Sequence, residues 1–422
     1  MKDKMIPKIN LAVIGAVDHG KSTLIGRLLY DTGSLPEDKV EEIKRISKNF
    51  KKDKNANKDL EFAFFLDSFR EERVNALTLD TTQVRLKVNK FEYNIIDCPG
   101  HKEFIRNMLT GTSQAQVAIL VVSARLNEGF RKQAKLHILL AKMLGIKQLF
   151  IAVNKMDLVN YNKERFREIK TEALKFLRAT DCYQHTPFIP ISAMRADNLF
   201  SRSINMNWYK GKSLVELLNK KANKPIPSKS RGLRVLIQDI YDNKGRKIFV
   251  GRVESGVVRR SSKLFLNISR QLGKVVSLVN AEGDKEKAEA GECISFQLLT
   301  ADCDKIKRGE VGSSLYYAPS VKKSFFARIF VLGKNLNKND KLIIRCGTAE
   351  RNCRIGEIIQ KLDYDNLRVK KKKLICLKED DIAEVKITAD EPLAVERFSR
   401  FPSLGRFLLI KKNKILAFGI IK

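Results

Sequence analysis

The chain has 422 residues, 43% of them apolar, which is more than one compact core accommodates, so two or three domains are expected. No low-complexity block argues for disorder, and the longest apolar runs, such as "VAILVVSA", are far too short to span a bilayer, so no membrane association is expected. Seven scattered cysteines with no C-x-x-C pair fit a reducing cytoplasm and argue against a disulfide framework or a zinc site, while a net charge of +33 suits either a polyanionic partner such as RNA or a generally lysine-rich composition.

That charge divides as +13 over residues 1–220 and +20 over 221–422, so it belongs to the whole chain. The basic N-terminus and its apolar stretch run straight into a glycine loop, with no small-residue cleavage site between. They read as a β-strand and not as a signal peptide. The loop, "GAVDHGKST", places Gly15, Gly20, Lys21 and Ser22 at the spacing G-x-x-x-x-G-K-[ST], after the strand "INLAVIGAV" and before the helix "KSTLIGRLLYDTG". Glycines let backbone N–H groups approach phosphate oxygens without a side-chain clash. Lys21 is expected to reach the β and γ phosphates and Ser22 to hold Mg2+, at a helix N-terminus that favours anions. Residues 48–59, "KNFKKDKNANKD", read as a charged surface insertion.

Next come the strands "VRLKV" and "EYNIIDC". The second ends in "DCPGH", where Asp97 can reach a magnesium shell and Gly100 offers an unhindered N–H to a γ phosphate. Alone, D-x-x-G says little; one crossover after a phosphate loop it says much. The strand "LFIAVNK" ends in "VNKMD", with Asn154, Lys155 and Asp157. An aspartate carboxylate can accept from both the N1–H and the 2-amino group of guanine, and adenine has no such pair of donors, so the motif selects GTP over ATP. "PISAM" supplies Ser192 and Ala193, with a backbone N–H for the guanine carbonyl. All four pieces follow strands, on the ligand side of an open α/β sheet.

Strands alternating with the helical stretches "HKEFIRNMLTGTSQA", "RKQAKLHILLAKMLG" and "KERFREIKTEALKFLRAT" make residues 7–220 an α/β P-loop G domain. Its sheet is expected to be mostly parallel, with helices on both faces. Residues 221–232 are Lys/Pro/Ser-rich and read as a linker. Beyond them, short Val/Ile/Phe-rich runs separated by Gly, Asn and Asp suggest two antiparallel β-barrels, over 233–318 and 323–422.

With "VDHGKST", "DCPGHKEFIRNMLTGTSQA", "AVNKMD", "NMNWYKG" and the terminal "EPLAVERFSRFPSLGRFLLI" in view, the chain resembles the translation-factor superfamily of GTPases over essentially its whole length. It resembles the branch holding elongation factor Tu/1-alpha and, most closely by its G-domain details, the GTPase subunit of two-subunit sulfate adenylyltransferase. The resemblance implies GTP/GDP and Mg2+ as ligands. The implied nucleotide pocket comprises Gly15, Asp18, His19, Gly20, Lys21, Ser22, Thr23, Asp97, Gly100, Asn154, Lys155, Asp157, Ser192, Ala193 and Met194. The implied metal set is Ser22, Thr78 and Asp97, and the implied catalytic set is Lys21, Thr78 and His101, the last in the family's water-orienting position. His19, His137 and His185 are read as structural and not catalytic. "REERVNALTLDTT", residues 70–82, departs from the family pattern at Val74, Ala76 and Leu77 while keeping Thr78. The expected partner is the small catalytic subunit of sulfate adenylyltransferase, with tRNA and the ribosome as the alternative. The basic excess favours an RNA partner, the G-domain details favour sulfate activation, and a regulatory GTPase with neither partner stays open.

Overall fold

The computed structural model describes residues 8–34, 41, 83–88, 91–97, 115–221 and 232–422. The segment 48–59 read as a charged insertion, all but Ala115 of the stretch 101–115 expected to be helical, the altered segment 70–82 and most of the expected linker lie outside the described residues. The chain forms two compact units, residues 1–225 with 365–367, and residues 226–364 with 368–422.

The first unit is built on a six-stranded sheet. Its strands are β1 (Lys8–Gly15), β2 (Gln83–Val88), β3 (Phe91–Asp97), β4 (Val117–Ser123), β5 (Gln148–Asn154) and β6 (Phe188–Pro190), in spatial order β2-β3-β1-β4-β5-β6. Only the β2–β3 pair is antiparallel. β4 is buried at every position, which is why its sequence is a continuous apolar run with no alternation. Helix α1 (Lys21–Asp31) buries Leu24, Ile25, Leu28 and Leu29 at helical spacing. These join Leu11 and Val13 of β1 and Leu214, Val215 and Leu218 of α4 (Leu214–Lys221) in one core. Helix α2 (Lys132–Met143) packs on β1 and β4 and shares none of that cluster, so the sheet is covered on both faces. α3 (Lys163–Ala179) is capped by Asn162, whose side chain accepts from the Arg165 N–H at 2.9 Å. It buries Phe166, Ile169, Ala173, Phe176 and Leu177.

The second unit holds two closed barrels of six strands each. The first runs β7 (Arg234–Asn243), β8 (Arg246–Ser255), β9 (Lys263–Leu266), β10 (Gln271–Asn280), β11 (Cys293–Leu299) and β12 (Val311–Ser313). Its order is β9-β12-β7-β8-β11-β10, closed by the β9–β10 pair. The second runs β13 (Ser320–Val331), β14 (Lys341–Cys346), β15 (Ala349–Leu362), β16 (Ile382–Val395), β17 (Arg406–Lys411) and β18 (Lys414–Ile421). Its order is β14-β17-β18-β13-β16-β15, closed by β14–β15. Closure leaves each barrel ring without an edge, so the alternating inward residues fill two separate cores. A small apolar cluster of Leu236, Val311, Ala394, Phe401 and Leu404 joins them. No helix among the described residues is long and apolar enough to cross a membrane.

Candidate nucleotide site

The phosphate loop is built around two glycines that nothing else replaces. Gly15 ends β1 at φ +152°, and a Cβ there would lie 2.5 Å from the Val121 carbonyl oxygen of β4. Gly20 is the residue before α1, at φ +86°, and its Cβ would lie 2.4 Å from Asn154 Nδ2. Between them Asp18 sits exposed in the left-handed region at φ 62°. No side chain caps α1 and its first turn holds no acid, so its leading N–H groups and dipole suit an external anion. Lys21 is 8% exposed and its ammonium donates to the carbonyls of Gly15 (3.0 Å) and Ala16 (2.8 Å). It is thus poised along the loop that would embrace a phosphate chain. The half-buried hydroxyl residues Ser22 and Thr23 follow in the first helical turn. Asp97 ends β3, 7% exposed, in register with Val13 of β1. A hydroxyl and a carboxylate near such a loop suit a hard, oxygen-seeking divalent cation.

The base side rests on Asn154. It is 2% exposed, donates through Nδ2 to the His19 carbonyl at 3.0 Å and accepts at Oδ1 from the Ala193 N–H at 2.9 Å. One side chain thereby ties the phosphate loop to the loop after β6. The next residue, Lys155, turns through φ 63°, and Asp157 follows half-buried in the 3-10 turn Met156–Val159. Ser192 is fully buried; its hydroxyl accepts from the Arg195 N–H at 3.2 Å and its backbone pairs with Asp197. The Met194 carbonyl accepts from the Arg27 guanidinium at 3.2 Å, linking the same loop to α1. His19 is 6% exposed, and its Nδ1 meets the Val121 carbonyl at 3.2 Å. Burial holds its pKa below the ordinary imidazole value. Its ring therefore braces the loop against β4 as a neutral donor. Thr78, Gly100 and His101 lie outside the described residues.

Residues that the motifs did not point to complete the support. Asp197, 8% exposed, accepts from Tyr161 Oη at 3.0 Å, Ser203 Oγ at 2.5 Å and Asn205 Nδ2 at 3.2 Å. Burial, then this bond, pushes the Tyr161 phenol up to about 12. Asn198 donates to the Pro190 carbonyl at 2.8 Å and accepts from the Ser203 N–H at 2.8 Å, and the Trp208 indole donates to the Tyr161 carbonyl at 3.1 Å. The segment after Ser192 is thus folded under the Asp157 turn. The one linear hint was the polar run "RADN" directly after the base loop.

Residues 7–238 match the family model "Elongation factor Tu GTP binding domain", and residues 324–422 match "GTP-eEF1A C-terminal domain-like". The chain belongs to the elongation factor Tu GTPase family. Its curated relatives include Elongation factor 1-alpha of Thermoplasma acidophilum, 38% identical over 98% of this chain and 97% of that protein. Elongation factor 1-alpha of Saccharolobus solfataricus is 39% identical over the same shares. A solved structure of sup35 complexed with GDP is 24% identical over 98% of this chain and 93% of its own, at a TM-score of 0.43. As a member of this family the chain is a GTP-binding, GTP-hydrolysing protein of translation-factor type. The preference for a sulfate adenylyltransferase subunit finds no support here: these full-length relatives carry the elongation factor 1-alpha name.

Proposed function

We propose that this chain acts as an elongation factor 1-alpha, carrying aminoacyl-tRNA to the ribosome while bound to GTP and releasing it after hydrolysis. The observation that carries the nucleotide half is the Asn154 bridge from His19 to Ala193, which sets the phosphate loop and the base loop at one sheet edge around Asp157. The carrier half rests on relatives of that name over nearly the whole chain. In this reading Asp157 accepts from the guanine ring, the Ala193 region lines its carbonyl edge, and the loop from Gly15 to Thr23 wraps the phosphates. Lys21 leaves its two carbonyls and neutralises charge growing on the leaving phosphate. Mg2+ would be held by Ser22, Asp97 and Thr78, and would supply charge neutralisation at the β and γ phosphates. His101 orients the attacking water.

Two measurements test this. Asp157→Asn replaces one acceptor by an N–H that faces a guanine donor. GTP affinity should fall by about a hundredfold or more, and xanthosine triphosphate, whose 2-oxo group accepts, should gain. Unchanged GTP affinity would remove Asp157 from the base site. For the carrier role, the GTP-loaded chain should retain aminoacyl-tRNA on a filter in a salt-sensitive way, and the GDP form should not. Equal retention by both forms would overturn that half alone.

A further inference from the structure

On the first unit, lined by none of the residues assigned to the nucleotide, α3 and the segment 208–212 enclose a groove of about 460 Å³. Its floor is apolar: Phe166, Pro187, Phe188, Trp208 and Leu217. Its rim is cationic: Lys163, Arg167, Lys170, Lys210 and Lys212. None of the lining residues is acidic. Of the rim cations, Arg167 is paired with Glu164 at 2.7 Å and Lys170 lies 5.9 Å from the Phe188 ring centre. The walls are held in place. Trp208 packs on Phe166 at 5.4 Å, and its indole N–H is engaged by the Tyr161 carbonyl. Tyr209 bonds the Lys212 carbonyl at 2.9 Å, over Gly211, where a Cβ would lie 2.4 Å from the phenol oxygen. The turn carrying Lys210 is therefore set before any ligand arrives, which lowers the ordering cost of binding.

We propose that this groove is a docking site for an acidic peptide segment of a partner protein, with one bulky apolar side chain seated on the Phe166–Phe188–Trp208 floor and carboxylates on the lysine rim. Charge complementarity selects the acidic segment: five cations and no carboxylate line the groove, in a chain of net charge +33. Ring geometry disfavours a single-stranded nucleic acid. Phe166, Trp208 and Tyr209 are tilted to one another by 45°, 76° and 79°, so they do not present the parallel faces on which successive bases stack. The groove shares no residue with the nucleotide pocket, and it meets the support of the base loop through the Trp208–Tyr161 bond.

Trp208 is the only tryptophan in the chain, so its emission reports the groove directly. The full chain, loaded with GDP, is titrated with a twelve-residue peptide of Asp and Glu around a central Leu-Phe. The same peptide with Ser-Ser at its centre and a twelve-nucleotide oligouridylate are run beside it. The expected result is a saturable change in Trp208 emission with the Leu-Phe peptide, weakened by salt. Affinity should be about tenfold lower for the Ser-Ser peptide, and about tenfold lower for a Lys163→Glu/Lys210→Glu double variant whose GDP affinity is unchanged. No saturable change up to millimolar peptide, equal affinity of the two peptides, or affinity retained in the double variant would overturn the proposal. So would oligouridylate displacing the peptide from the groove.

Discussion

Asn154 and Arg234 are both buried, 2% and 1% exposed, and each bridges two pieces of structure that distant parts of the chain supply. They do so with different chemistry. Asn154 uses one neutral donor and one neutral acceptor to join the loops on either side of the nucleotide edge. Arg234, at the start of the first barrel, donates to Glu396 at the end of the second barrel's β16 region at 2.6 Å. It also donates to the Leu233 carbonyl at 2.9 Å and the Tyr317 carbonyl at 2.5 Å, and it lies 4.5 Å from the Phe401 ring centre. A neutral amide bridge adds no charge beside the loop proposed to hold phosphates, and it costs little to adjust. A buried ion pair is all-or-none: whole, it fixes one arrangement of the two barrels; halved, it strands a charge. The barrel seam is therefore built to stay put, and the nucleotide edge is built to be held without being locked.

Removing one partner of the ion pair should give the largest effect. Glu396→Ala leaves the Arg234 guanidinium buried without its carboxylate, at a cost of about 3–5 kcal/mol. Chemical denaturation followed by barrel-specific probes should show that loss, while GTP affinity, set in the other unit, stays the same. A drop below about 1 kcal/mol would mean that the two backbone carbonyls and the Phe401 face suffice for Arg234. Replacing both Arg234 and Glu396 by apolar residues of similar volume should recover much of the loss, which separates the pair's specificity from its net stability.

The nucleotide edge should respond in the opposite sense. Asn154→Ala leaves the His19 carbonyl and the Ala193 N–H without their shared partner, each worth about 1–3 kcal/mol when buried and unsatisfied. The expected outcome is a GDP affinity lower by roughly tenfold to a hundredfold, with a smaller change in melting temperature than Glu396→Ala produces. Calorimetry with GDP on the two variants sets the comparison directly. If Asn154→Ala unfolds the first unit as severely as Glu396→Ala unfolds the second, the distinction drawn between the two bridges fails.

The candidate nucleotide edge is readable in the sequence because its residues are fixed by local rules. Glycines are demanded where a Cβ would strike Val121 or Asn154, and the strand-ending motifs carry their own spacing. What it concealed was support supplied from a distance. Asp197 gathers Tyr161, Ser203 and Asn205 through bonds that have no spacing signature. The barrels were legible as a texture but not strand by strand. β10 and β15 show no clean apolar run or alternation: β10 breaks its apolar residues with Gly, Lys and Ser, and β15 breaks them with Glu, Arg, Asn, Gly and Gln. β15 also shifts register against β16 twice, so its inward face changes parity along its length. The β9 and β12 strands are too short to show any period at all. The partner was the least legible feature, because loops shared by related GTPases say which nucleotide is held and not what is carried.

His19 offers the finest test of the edge, through pH. Its imidazole is buried, and that burial lowers its pKa in the folded chain below the ordinary value near 6.5. The unfolded chain therefore takes up a proton first as pH falls. The sign follows: the stability contribution is whole above about pH 6.5 and is lost as pH drops toward the folded pKa. The Val121 carbonyl at 3.2 Å needs a donor, so the neutral ring must carry its proton on Nδ1, and a second proton would have to enter on Nε2 against the burial cost. His19→Asn keeps an N–H near the Nδ1 position and removes the titration. Melting temperatures of the two proteins between pH 7 and pH 5 should therefore diverge: the parent chain should lose stability with the steeper slope, and the variant should be flatter while binding GDP nearly as well at pH 7. Parallel slopes would show that the ring accepts its second proton in the fold as readily as in water, and that the loop is more open at β4 than its 6% exposure implies.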